Sequence, residues 1–158
     1  MKTHKELSSD LLALRRKTWP ANTNGRRAMA RDVALVLVAI QGHPYFKFAV
    51  AAEGSYEERS SAAQRRSAGV LSAKLTAHAA ELAAVIRGED PGFDRYDVLG
   101  DLGKAVAEIR EVERRVSEGA LDVPADFGAG VAGDQASRLA VAEAEIDALW
   151  QAMEGAAQ

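Results

Sequence analysis

Residues 33–40 read VALVLVAI, eight consecutive apolar side chains and the longest such run in the chain. A helix lying on a surface shows polar residues along one side, and this run shows none. It is therefore expected to be covered on all sides by other elements. The preceding segment, RRAMARD, is compatible with a helix. Met29, Val33, Val36, Leu37 and Ile40 share one helical face. The spacing predicts a buried helix over 26–41, starting near Gly25 or Arg26 and stopping at Gly42. The β-branched residues leave a buried strand as the rival reading.

Outward from this run, the sequence keeps a helical period. Thr3-His4-Lys5-Glu6 is a capping box, in which a hydroxyl and a carboxylate exchange hydrogen bonds across a first turn. Leu7, Leu11 and Leu14 follow on one face, and Arg15, Arg16 and Lys17 suit the negative end of the helix dipole. Trp19-Pro20 ends the helix, because a residue before proline avoids the α region. Residues 21–25 have turn composition. After the breaker Gly42-His43-Pro44, the Tyr45–Phe48 cluster predicts a short helix.

Ser55-Tyr56-Glu57-Glu58 is a second capping box and opens a long helix over 55–87. Its second half carries the stripe Leu71, Leu75, His78, Leu82, Val85 and Ile86. Its first half, with Arg59, Arg65 and Arg66, has almost no large apolar side chain and is expected to face solvent or a partner. Asp94 or Asp97 caps a further helix to Ser117, with Leu102, Ala105, Ile109, Val112 and Val116 in steps of three and four. The glycine-rich stretch 119–133 reads as an irregular loop. Asp134 caps a last helix with Leu139, Ala142, Ile146, Leu149 and Met153 in the same steps. The last two helices are expected to form an antiparallel hairpin flanking the core.

With 158 residues, 32 of them alanine, and only 4 prolines, the composition favours a single all-α domain of five main helices. Charge is divided unevenly. Residues 1–88 carry 14 Lys and Arg against 7 Asp and Glu, while residues 89–158 carry 6 against 16. The expected organisation is a basic half, 1–88, and an acidic helical hairpin, 89–158. The start has spaced apolar residues and early charges, unlike a signal peptide, and the apolar run is too short to span a bilayer. A cytoplasmic protein without a membrane partner is expected.

The absence of cysteine excludes disulfides, thiolate nucleophiles and Cys-ligated metals. No phosphate-cradling glycine pattern and no nucleophile-elbow motif is present. The three histidines divide between an N-terminal surface position, His4, a turn, His43, and an apolar stripe, His78. His78 and Glu81, three residues apart, can both reach one ion. Helical di-metal sites use Glu-x-x-His twice, however, and here the order is reversed and occurs once. His78 is expected to be a core histidine with a hydrogen-bond partner, and no catalytic residue, cofactor or metal is expected.

The function expected from these features is a non-catalytic interaction protein that binds a protein or a protein–nucleic acid complex. It would occupy a charged surface, as phage- or mobile-element-encoded inhibitors of defence systems do. The contacts expected are Arg59, Arg65 and Arg66, the Tyr45 and Phe46 cluster, and the acidic face of Glu108, Glu111 and Glu118. One alternative is a nucleic-acid-binding protein using Arg15, Arg16, Lys17, Arg26, Arg27 and Arg31 on phosphates. The other is a helical assembly or virion component, with self-association through the hairpin.

Overall fold

The side chains of Thr3, Asn22 and Asp94 each cap the start of a helix. In a computed structural model describing residues 2–52, 62–89, 91–123, 144–145, 147–148 and 151–152, the side chains of 52 and 62–68 excepted, the element order is α1 (His4–Arg16), α2 (Thr23–Gln41), α3 (Pro44–Ala52), α4 (Ala62–Ile86) and α5 (Arg95–Ser117). No strand occurs among the described residues, so the chain is all-α. The run at 33–40 is helix and not strand.

The Thr3 hydroxyl accepts from the Glu6 amide at 3.3 Å, as the capping box predicts. Glu6 reaches the Thr3 hydroxyl rather than its backbone. α2 begins earlier than the composition of its linker suggests. Asn22 is the cap, its Oδ1 accepting from the Gly25 amide at 2.6 Å, so Thr23, Asn24 and Gly25 form the first turn. Gly25 is required there: a Cβ would collide with the Pro20 ring and stand 2.9 Å from Asn22 Oδ1. Gly42 ends α2, and α3 starts at Pro44. The capping box at 55–58 and the hairpin seam Leu139, Ala142, Ile146, Leu149 and Met153 lie outside the described residues.

α2 meets each of the other four helices, and so does α5. The centre is therefore shared, and α5 is no flanking arm. Its buried residues Val98, Leu99, Leu102, Ala105, Val106 and Ile109 join one core with Leu7, Leu11 and Leu14 of α1, Val33, Leu37 and Ile40 of α2, Phe46 of α3, and Leu75, Leu82 and Ile86 of α4. A wide apolar stripe, rather than a narrow heptad seam, lets α5 contact several helices at once.

The central run is less enclosed than expected. Val33, Ala34, Leu37 and Ile40 are buried, while Leu35, Val36, Val38 and Ala39 are half-buried. Four neighbours cover most of the helix but leave one side partly open. On that side Arg31 of α2 binds Asp147 at 2.5–2.7 Å, bringing the helical C-terminal residues 147–148 against the central helix. Gly69–Ile86 of α4 is long and apolar enough to cross a membrane by composition. It contains Lys74, His78 and Glu81, and its apolar stripe packs into the core.

Candidate functional site

Four helix ends converge at one end of the bundle. α1 stops before Trp19-Pro20, and α2 starts at the Asn22 cap. α4 ends in a tight turn: Gly88 has φ +88° and its amide donates to Val85, while the Glu89 amide donates to Ala84. α5 then starts at Asp94, whose carboxylate accepts from the Tyr96 amide at 2.9 Å.

This end concentrates aromatic and cationic groups. The Trp19 and Phe93 rings lie 5.5 Å apart and tilted. The Arg95 guanidinium is 5.8 Å from the Trp19 ring centre and 4.7 Å from that of Tyr96. It is held there by bonds to the Lys17 carbonyl at 3.1 Å and the Tyr96 hydroxyl at 2.7 Å. Beside it opens a cleft of about 180 Å³, walled by Trp19, Thr23, Arg26, Val85, Glu89 and Phe93. Tyr96 is 64 % exposed, and Arg15, Arg16 and Arg26 are exposed as well.

The residues expected to meet nucleic acid do not form one free basic surface. Arg27 is buried, against the expectation that it contacts phosphate; the N-terminal turn of α2 points it inward, where it reaches Asn24 Oδ1 at 3.4 Å. Arg31 is engaged by Asp147, and Lys17 lies 3.5 Å from Asp32. Arg15, Arg16 and Arg26 remain outward.

The residues expected to meet a protein are also redistributed. Phe46 is 2 % exposed and belongs to the core, because the face that α3 presents to α5 carries it inward. It is not available to a partner. Tyr45 is half-buried beside the His43 ring, 5.6 Å away. On the acidic face, Arg114 spans Glu111 and Glu118, and Arg115 also binds Glu111. The two carboxylates raise the Arg114 pKa above its already high ordinary value. Glu108 is half-buried on the same helix. Arg59 lies outside the described residues. Arg65 and Arg66 lie on α4, with side chains outside the described set.

The histidines are more involved than their sequence positions imply. His4 is no bystander: its amide donates to Glu113 Oε1 at 3.0 Å and its ring contacts Glu113 Oε2, tying the start of α1 to α5. His43 is buried. Its Nδ1 accepts from the Tyr45 amide at 3.1 Å, which leaves Nε2 to donate to the Lys2 carbonyl at 2.7 Å. Burial, partly offset by the Lys2 bond and the nearby Glu113 charge, lowers the His43 pKa.

His78 is buried between α4 and α5. Its Nε2 lies 2.7 Å from Asp101 Oδ2, and its Nδ1 lies 3.8 Å from Glu81 Oε1. Asp101 is itself buried at 4 % exposure, with Lys104 Nζ 3.8 Å from its other oxygen. Asp97, one turn earlier and exposed, offers a third ligand atom to the same place. Glu81 is visible from sequence; Asp97 enters it only as a candidate helix cap, and Asp101 is not singled out. The available signal is that Asp101 interrupts the α5 stripe between Val98 and Ala105, as His78 interrupts that of α4. Two polar interruptions in facing apolar stripes predict a buried pair once the helices are known to be neighbours.

No protein-family model, curated protein or solved structure matches this chain.

Proposed function

We propose that the chain is a non-catalytic interaction protein, and that the aromatic and cationic end of the bundle docks an acidic segment of a protein partner. The partner can be a protein alone or one within a protein–nucleic acid complex. The observation that carries this reading is Arg95, held over Trp19 and Tyr96, with Trp19 also walling the cleft together with Arg26 and Phe93. Trp, Tyr and Arg are the residues that most often dominate interface energy. Hydrogen bonds fix the guanidinium before binding, so less side-chain freedom is lost on association. The outward Arg15, Arg16 and Arg26 favour an acidic segment and raise its rate of encounter. Such a role, occupying a partner's charged surface, is that of an inhibitor or adaptor, and a cysteine-free chain is suited to the reducing cytoplasm.

Glu89 in the cleft wall favours a protein partner: a phosphate backbone carries charge at every unit, whereas an acidic protein segment can set its carboxylates on Arg26 and Arg95 and an uncharged residue beside Glu89. The nucleic-acid alternative keeps the outward Arg15, Arg16 and Arg26 for phosphates, and single-stranded bases would stack on the same aromatic groups. Site-specific photo-crosslinking separates the two. A crosslinking residue at Tyr96 or Arg26 is expected to capture the same protein from cells, and one at the exposed Arg110 is not. Arg26→Glu with Arg95→Glu should abolish that capture while the melting curve stays cooperative. Undiminished capture by the charge-reversed variant refutes the proposal. Salt-sensitive binding of a labelled single strand, without protein capture, replaces it with the nucleic-acid reading.

A further inference from the structure

We propose that His78, Asp101 and Asp97 form a site for one first-row divalent metal ion, of zinc-like ligand preference, that joins α4 to α5. Their candidate ligand atoms all lie within 4.8 Å of one another. Ligands about 2.1 Å from a tetrahedral ion are roughly 3.4 Å apart. The His78 Nε2 to Asp101 Oδ2 distance of 2.7 Å must therefore open slightly to admit an ion. Asp97 is exposed, so its side chain is free to adjust to the same separation.

Two further observations point to a cation. Asp97 and Asp101 are four residues apart on one face of α5, an arrangement of like charges that destabilises a helix unless something positive lies between them. Asp101 has the Lys104 ammonium for this, but that group is 69 % exposed and 3.8 Å away. The second observation is His78 Nδ1, a buried nitrogen with no hydrogen-bond partner among the described residues, on a residue only 6 % exposed. Glu81 Oε1 stands 3.8 Å from it. Histidines that bind metal through one nitrogen usually donate the other N–H to a carboxylate, which fixes the tautomer and strengthens the ligand. Here Nε2 would bind the ion and Nδ1–H would bond Glu81 after a small side-chain rotation. One imidazole and two carboxylates suit zinc and its first-row neighbours better than magnesium or calcium, which prefer oxygen alone. Three protein ligands leave a coordination position for water.

None of its ligands lines the proposed docking cleft, and its test does not depend on a partner. The full chain, stripped with a chelator, is titrated with zinc by calorimetry and with cobalt by visible absorption. The expected result is saturable uptake of one ion per chain in the micromolar range, with a visible cobalt band and a raised melting temperature. Asp97→Asn, an exposed change that leaves the core untouched, should weaken binding at least about tenfold, and Glu81→Gln by about tenfold or more through the second nitrogen. Glu113→Gln, which alters the unrelated His4 contact, should leave the affinity unchanged. No saturable uptake by the wild-type chain overturns the proposal. So does binding that survives Asp97→Asn, or binding that Glu113→Gln abolishes.

Discussion

Replacing Leu37 by alanine tests which side of the central helix faces the core. Leu37 is fully buried, whereas Leu35, two residues earlier, is half-buried. Leucine to alanine removes three carbons, about 2.4 kcal/mol of transfer free energy at about 0.8 kcal/mol per buried methylene. At Leu37 a cavity term adds to this, because α2 is packed by four helices that cannot all collapse inward. The expected cost is about 3–4 kcal/mol. At Leu35 roughly half the transfer term is lost and solvent fills the space, so about 1 kcal/mol is expected. Urea unfolding followed by circular dichroism reads both. With a slope of about 1.5–2 kcal/mol per molar, Leu37→Ala lowers the midpoint by about 2 M and Leu35→Ala by under about 1 M. Equal losses at the two positions would mean that the run is enclosed on all sides, and would refute the face assigned here.

Gly25→Ala should destabilise by about 1–3 kcal/mol despite alanine's better helix propensity, since the new methyl strikes the Pro20 ring; the same unfolding assay checks it. Stability should fall on acidification below about pH 6.5. The His43 pKa is lowered in the fold from 6.5, so the unfolded chain binds more protons between the lowered value and 6.5. Its contribution is complete above that window and lost as pH drops through it, and a flatter pH profile in His43→Gln would confirm the source. Asp101→Ala should cost about 3 kcal/mol in metal-free buffer by stranding the buried His78 ring. The double change His78→Leu with Asp101→Leu should recover much of that, as apolar replacement of buried polar pairs often does. Thermal melts of the two variants in chelator decide it.

Much of the fold is legible in the chain because it is written in local terms. Helix period, the cap at Thr3, a cap at Asp94 or Asp97 that the structure resolves to Asp94, the stop at Gly42 and the stripe from Leu71 to Ile86 are properties of neighbours within a few residues. Hydrogen-bonding side chains and apolar spacing act at that range, so a sequence can state them outright. Absence of cysteine likewise settles which sulfur chemistry is closed to the protein.

What joins residues far apart in the chain was decided only by packing. The turns before α2 and after α4 bring Trp19, Arg26, Phe93 and Arg95 to one end of the bundle, though nothing in their spacing groups them. Burial of Phe46 and Arg27 follows from the rotation of α3 and α2 against their neighbours, which composition does not specify. His78 is the clearest case. Its place in an apolar stripe says that it is inside. Only the packing of α5 against α4 supplies Asp101 at 2.7 Å and Asp97 beside it, because a buried polar group takes its partner from whichever helix faces it.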